Sequence, residues 1–499
     1  MSRKPHRWRL LVLFAVAARA AATSLSSLRG GGDLKYDVVV VGTGLKESLL
    51  AGLLARHGKT VLQLEPSDAL GGGTRSLDLQ TLADELDGPN AKPLSEPKLG
   101  RASDYLVERA PKLFMAAGKQ LQLLIASGAW QHMTPPGFKR VQRSLVYRLR
   151  ADGNPDVHRV LANSEDVVKT RMLAPLEKAR VLQFFHWIER YDEGDAKTHA
   201  TGPLSKKVLN LHKMSAAKFL AFWELPSEAS QMIIRGMALH AGPAKALKKL
   251  PAIELVRRLK RYKDAYRTFP HMTSPYVYPV GGFGSSLAKA MAGVLEANSG
   301  GSEVSRPVAS LLEADDGSGA CAGVTTADGA AIRADCVVCA PEHAPSAEHV
   351  QRSYEVVRLY AVLAHPPNLC KEATSCQLLV PAAHTERESD IYLMAVGPTH
   401  GVAPKGRWLV VASAKVEGPS EGVDALAVAK RELAAVLPLL KPSRKLFAEV
   451  SPIYAPADET PDGLQVLSSC DETSYFDSVE ADIEVAFERI TGERITSIR

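Results

Sequence analysis

Between Tyr36 and Gly73, two short unbroken apolar runs flank one longer segment of helical spacing. The first run, Asp37–Val41, reads DVVVV, and the second, Thr60–Leu64, reads TVLQL. Runs of that length, rich in valine and leucine, predict buried strands. Leu45 onward predicts a helix, and Gly58 ends it. Gly42-Thr43-Gly44 supplies the tight turn between the first strand and the helix. Together they form a strand–helix–strand unit of the dinucleotide-binding kind.

Farther along, Ser144–Leu149 predicts a strand, and DGNPD at 152–156 predicts a turn. From about residue 160 to 268 the strand pattern is lost. Val181, Phe184, Phe185 and Ile188 fall at i, i+3, i+4 and i+7. Ile234, Met237, Ala238 and Ala241 repeat that spacing, and Leu255, Leu259, Tyr262 and Tyr266 form a third stripe. Strands return from Ser274, near Val308–Glu313, Cys336–Ala340, Tyr354–Leu363, Ile391–Ala395, Trp408–Val416, Glu449–Tyr454 and Leu464–Ser469. Helices are expected at Ser285–Ala297, Val423–Leu437 and Val479–Ile490. The expected fold class is α/β with α+β character. A discontinuous Rossmann-type domain covers 35–157 and 269–499, and a small all-helical domain at 158–268 interrupts it.

The first unit departs from its own pattern at one position. The fingerprint G-x-G-x-x-G seats a pyrophosphate on the helix N-terminus, and an acid about 20 residues on binds the ribose. Gly42, Gly44 and Glu65 fill three of these places, but Glu47 stands where the third glycine belongs. A carboxylate there competes for the partial positive charge that a phosphate needs. The turn is expected to be vestigial, with no cofactor.

Charge narrows the partners. The formal net charge is +6, yet residues 1–32 alone carry Arg3, Lys4, Arg7, Arg9, Arg19 and Arg29 and no acid. The rest of the chain is close to neutral, so no nucleic-acid footprint is expected. Arg3–Arg9, the apolar Leu10–Ala18 and Ala20-Ala21-Ala22 resemble a secretory signal, and TSLSSLRGGG resembles a transit segment. Residues 1–34 are expected to lie outside the fold. The densest later cluster holds Lys248, Lys249, Arg257, Arg258, Lys260 and Arg261. It reads as a solvated helix face, with an acidic partner or anionic membrane as the other reading. No interior apolar run reaches the roughly 18 residues of a membrane span. Among six cysteines, Cys336 and Cys339 form a C-x-x-C in a strand-like run, where alternation separates the thiols. Nothing suggests a disulfide framework. No nucleophilic triad, P-loop or metal cluster is visible, so no catalytic residue and no metal are expected.

A series of segments in fixed order carries more than any one of them. They are GTGLKE at 42–47, PKLFMAAG at 111–118, SPYVYP at 274–279, CQLLVP at 376–381, SDIYLMAV at 389–396 and KGRWLVVASAKVE at 405–417, followed by DETSYFD and ERITGERI. In these the chain resembles the Rab GDP-dissociation inhibitor family, related to the Rab escort proteins. The resemblance runs from Tyr36 to about Ile495. It implies a flavoprotein-like domain, usually without flavin, that carries an inserted helical domain. It also implies a non-enzymatic regulator that binds geranylgeranylated, GDP-bound Rab GTPases, slows GDP release and extracts them from membranes. Such a protein is expected to be a monomer in the cytoplasm, touching membranes transiently. A secretory or plastid-type organelle, reached through residues 1–34, is the alternative. An FAD-dependent amine-oxidase-like oxidoreductase and a Rab escort protein are the competing functions. The chain lacks the long insertions of escort members, and its end reads CDETSYFD in place of a late Gly-Asp flavin motif.

The implied Rab-binding platform falls on Lys46, Leu70, Gly71, Gly72, Arg267, Ser274, Tyr276, Tyr278 and Ser285. The family's two tyrosines before Gly-Gly are Ala69 and Leu70 here. Its acid and arginine after the SPYVYP-like segment align with Ser285 and Ala292. Loss of an aromatic anchor and of charged contacts weakens such an interface by about a few kcal/mol. Exposing a C20 prenyl group to water is unfavourable by roughly 0.8 kcal/mol per CH₂, so a carrier needs a dry groove. The expected lining is Val181, Phe184, Phe185, Ile188, Phe219 and Met237.

Overall fold

The computed structural model describes residues 35–88, 94, 99–133, 137–202, 208–242, 244–370, 373–440 and 443–495. The leader-like residues 1–34 and the side chain of Ser285 lie outside the described residues.

Two seven-stranded sheets carry the main body. The first runs in the order Gly301–Glu303, Val61–Leu64, Lys35–Val41, Ala331–Cys339, Cys321–Thr326, Val308–Glu313, with Leu464–Val466 also beside Ala331–Cys339. The Lys35–Val41 strand is parallel to both neighbours, Val39 lying between Leu62 and Val337. A central parallel strand is buried on both faces, which is why this run of valines has no polar alternation. The second sheet runs Ser443–Pro456, Val350–Leu363, Trp408–Lys415, Ile391–Val396, Cys376–Val380, Arg143–Leu149, Pro155–Arg159. It is antiparallel except between Cys376–Val380 and Arg143–Leu149.

The helix Leu45–Arg56 is buried from Leu45 through Ala55 and so has no solvent face. It packs closely on the helix Gly284–Ala297. A Cβ at Gly52 would lie 2.3 Å from the Met291 sulfur and 3.1 Å from the Ser127 carbonyl oxygen.

Between the Pro155–Arg159 strand and Thr268 lie the helices Ser164–Lys169, Pro175–Arg190, Ala216–Phe222, Ser227–Gln231 and Ala252–Thr268. The stripe expected from Ile234 to Ala241 takes another form. Met232–Met237 is π-helical, and Leu239, with φ of 51°, turns the chain out of the helix. The interior is aromatic: Trp187 lies 5.5 Å from Phe219 and 5.6 Å from Trp223 between ring centroids. The basic cluster is a solvated face in part: Lys248, Lys249 and Arg257 are exposed, and others are engaged. The Lys260 ammonium donates to the Tyr191 carbonyl at 2.6 Å and so caps the helix Pro175–Arg190. Arg257 pairs with Glu193 and Glu254, and Arg261 with Asp477 and Glu480 of the final helix, Asp477–Thr491.

The expected helix at Val423–Leu437 is shorter, Ala425–Glu432, followed by a 3-10 turn at Leu437–Leu440 that contains Pro438. Cys370 and Cys376 form a disulfide with Cα atoms 5.8 Å apart, contrary to expectation. Cys336 and Cys339 are free thiols, and burial pushes Cys336 up to about 12.

Candidate functional site

The chain's own groups fill the place where a dinucleotide would bind. Glu65 is buried, and both its oxygens are engaged. One accepts from the Thr43 amide at 3.0 Å and from the Thr43 hydroxyl. The other accepts from the Ser67 amide at 3.0 Å and the Ser67 hydroxyl at 2.7 Å. A ribose could reach this carboxylate only by displacing those donors. The Thr43 hydroxyl oxygen also accepts from the Gly71 amide at 2.8 Å, which ties the 67–74 loop to the turn. At the helix N-terminus, the donor that would meet a phosphate is capped: the Leu45 amide donates to the Thr74 hydroxyl at 2.8 Å. Gly72 presses on the turn, where a Cβ would lie 3.0 Å from the Gly44 amide nitrogen. Gly71, with φ of 118°, makes that approach possible.

Glu47 completes the closure. A Cβ at Gly44 would stand 2.4 Å from a Glu47 carboxyl oxygen. Burial, reinforced by the neighbouring Glu342 carboxylate, pushes Glu47 up to about 8. A pyrophosphate would therefore meet the Thr74 hydroxyl, the Gly72 backbone and the Glu47 carboxyl. The residues present do not fit a dinucleotide. Beside the seat lies a cleft of about 320 Å³ walled by Lys46, Glu47, Arg109, Glu342, Arg358 and Glu449. Its cationic groups are engaged with carboxylates and backbone: Arg109 donates to Glu449 at 3.0 Å, and Arg358 donates to the Cys470 carbonyl at 2.9 Å.

Five platform positions need correction, the buried Gly71 among them. Lys46 is buried, and its ammonium donates to the Ser468 carbonyl and to Asp482, each at 2.8 Å. Ser274, Tyr276 and Tyr278 are buried too. The Ser274 hydroxyl donates to the Val141 carbonyl, Tyr278 donates to Glu108, and Tyr276 stacks on Tyr475 at 5.5 Å. The reason is topological. Tyr276–Pro279 is the middle strand of three, between Phe114–Met115 and Phe138–Arg140. These side chains hold a surface from beneath and cannot face a partner.

Glu108 is the residue that sequence reasoning missed. Besides Tyr278, it accepts from the amides of Phe283 and Gly284, the latter at 2.7 Å, and so caps the helix that carries Ser285 and Ala292. No motif marks it; only its place just before PKLFMAAG hints at a role. Of the platform residues described with side chains, Leu70 is half-buried, Gly71 is buried and Gly72 half-buried. Arg267 is exposed, 3.3 Å from Glu189.

The expected prenyl lining is closed. Val181, Phe184, Phe185, Ile188, Phe219 and Met237 are all buried in one continuous core, with Phe184 and Phe219 5.8 Å apart. In this conformation they pack within the core. An open apolar cleft of about 320 Å³ lies elsewhere, among Phe114, Leu124, Trp130, Phe138, Phe269 and Met272. Trp130 stacks on Phe138 at 5.9 Å and stays 53% exposed, and Phe269 is 44% exposed.

A family model described as GDP dissociation inhibitor matches residues 32–498. The chain belongs to the GDP dissociation inhibitor family. A guanosine nucleotide diphosphate dissociation inhibitor of Arabidopsis thaliana is 31% identical over 464 residues, 93% of this chain and 96% of that protein. The structure of a Rab GDI from Plasmodium falciparum matches with a TM-score of 0.82 at 25% identity, over 93% of this chain and 99% of that one. An oxidoreductase from Methanosarcina mazei shares the fold alone, with a TM-score of 0.53 at 15% identity over 91% of this chain and all of that one. GDP dissociation inhibitors are regulators and not enzymes, so the competing oxidoreductase function is set aside. The α/β fold is common to both classes; the family match and the self-filled seat separate them.

Proposed function

We propose that this GDP dissociation inhibitor binds prenylated, GDP-bound Rab GTPases, slows their GDP release and carries them between membranes and cytoplasm. The supporting observation is the 67–74 loop. One side of it fills the cofactor seat, and the other carries the exposed Ala69 and the half-buried Leu70. In this reading Leu70, Gly72, Arg267 and the start of the Gly284–Ala297 helix meet the GTPase. Lys46, Gly71, Ser274, Tyr276 and Tyr278 fix that surface from below. Leu70, in the place of a tyrosine, and the changes at Ser285 and Ala292 alter the choice of Rab.

Residues 158–268 act as a separate lipid-holding domain in this reading. Its six lining residues are packed together, so a geranylgeranyl chain enters only when the helices part. The open cleft at Trp130 accepts an apolar part of the same partner without that movement. Any nucleotide belongs to the partner, and the protein works as a monomer. Membrane contact is peripheral; no helix among the described residues is long and apolar enough to cross a bilayer.

The test is extraction. Membranes bearing geranylgeranylated Rab, loaded with GDP or GTP, are incubated with the purified protein and sedimented. The GDP form should move to the supernatant and the GTP form should stay. Equal release of both forms, or a stoichiometric flavin absorbance band from the protein, would end this reading.

A further inference from the structure

The cleft beside the self-filled seat holds two carboxylates that no cation serves. Of the charges in its wall, Lys46 is taken by Asp482 and the Ser468 carbonyl. Arg109 is taken by Glu449 and Glu85. Arg358 donates to the carbonyls of Cys470 and Asp471, at 2.9 and 3.2 Å. Glu449 also accepts from the Tyr360 hydroxyl. Glu47 and Glu342 remain. Neither accepts a hydrogen bond from another residue or joins an ion pair, among the described residues.

Both line the cleft, at different depths. Glu47 is 5% exposed and lies on its floor, against the Gly42–Gly44 turn. Glu342 is exposed and stands at its mouth, a carboxyl oxygen 3.2 Å from where a Cβ at Gly73 would be. Burial first, and the Glu342 charge second, push Glu47 up to about 8. The other titratable neighbours offer it no partner. Lys46 and Asp482 pair with each other, and the His343 ring edges the turn at Gly42. Burial pushes the Cys339 and Cys470 thiols up, so they stay neutral.

A carboxylate buried without a donor is costly, and a cation with its own N–H groups removes that cost. The chemistry favours an amine over a metal. Calcium takes about six to eight oxygens. No third acid, histidine or cysteine joins the two carboxylates in a metal-binding group among the described residues. A primary ammonium is all donors, and two ionised carboxylates are all acceptors.

We propose that this cleft binds a primary ammonium group between the carboxylates of Glu47 and Glu342. A cation then stands beside the seat that a pyrophosphate would have taken. The site does not rest on Rab binding. Its ammonium belongs to a free small amine, or to a lysine side chain of a partner reaching past the exposed Gly73. Entry of the cation displaces the proton of Glu47. Below about pH 8 amine and proton compete, so affinity rises with pH while an alkylamine keeps its charge.

The test is calorimetric titration of the full-length protein with n-butylamine at pH 7 and pH 9, in buffers of different ionisation enthalpy. Affinity should rise about tenfold between the two, and binding at pH 7 should release about one proton. Tetramethylammonium, a cation without N–H donors, should bind about tenfold more weakly or worse. Glu47→Gln should abolish the proton release and weaken butylamine about tenfold at pH 9. Glu342→Gln changes an exposed side chain, which spares the fold. It should weaken butylamine several-fold and reduce the proton release at pH 7. GDP-loaded Rab added first separates the sources. Competition supports a lysine of the GTPase in the site, and undiminished amine binding supports a free amine. Parental affinity in both variants, or binding without proton release, overturns the proposal. So does the absence of butylamine binding, which leaves Glu47 a protonated plug under the turn.

Discussion

The cleft beside the vestigial seat and the cleft at Trp130 each enclose about 320 Å³, and their walls differ in kind. The first is lined by cations already engaged with carboxylates: Lys46 with Asp482, Arg109 with Glu449. The second is lined mainly by aromatic and aliphatic side chains, beside Lys139 and Arg140, with Trp130 and Phe269 half in water. A polar cavity whose donors are satisfied gains little from an anionic ligand, because each new bond replaces an old one. An apolar cavity gains from any apolar occupant that displaces water. Toward anions, the cofactor side of this fold has been made self-sufficient, and the unmet apolar demand has moved elsewhere.

The comparison breaks first at Lys46. Lys46→Met takes the buried ammonium from the Ser468 carbonyl and from Asp482, which keeps only the Ser468 amide and hydroxyl. The expected loss is about 3–5 kcal/mol, read as a lower urea midpoint at unchanged slope. A loss under about 1 kcal/mol would mean that the polar wall is not held by its own pairs.

Glu47 gives the next effect, and its sign is fixed. Its value in the folded protein, about 8, stands above the ordinary 4.5, so the folded state holds the proton more tightly than the unfolded chain. Its contribution is therefore complete below pH 4.5, declines as pH rises toward 8 and stays lost above that. Glu47→Gln should be more stable than the parent at high pH, with a gap that closes toward low pH in a series of urea melts. A gap independent of pH would place the Glu47 charge in solvent.

On the apolar side, Trp130→Ala should change stability by no more than about 1 kcal/mol, since the ring is half exposed. It should weaken the binding of a prenylated GDP-Rab about tenfold, measured by titration. Loss of stability without loss of binding would turn this cleft into ordinary packing. The smallest effect is expected at Arg267, whose side chain is 66% exposed. Arg267→Ala should leave the melting temperature unchanged and reduce Rab affinity by about twofold to fivefold.

Much of the fold was legible because periodicity reports burial. DVVVV, the glycine turn and the helix to Gly58 are set by local chemistry, and the strand and helix lie where that chemistry puts them. Periodicity does not report what does the burying. The stripe of Val181, Phe184, Phe185 and Ile188 looks the same whether it packs on lipid or on Phe219. Motif order also leaves direction open. SPYVYP locates a segment, but Tyr276 and Tyr278 point inward because strands from elsewhere in the chain flank them. Lys46 is drawn inward by Asp482, 436 residues away. The Trp130 cleft draws on three separate segments, so no single window of sequence displays it.

The Gly71 amide bond to Thr43 has a consequence for how such a protein diversifies. The backbone of the 67–74 loop is pinned by main-chain donors and by Thr43, Glu65 and Thr74, none of which is a tip residue. Positions 69 and 70 can then change from one lineage to another without shifting the frame that presents them. Under the proposed function, side chains at the loop tip then vary on a fixed mount, and specificity drifts while the fold stands still.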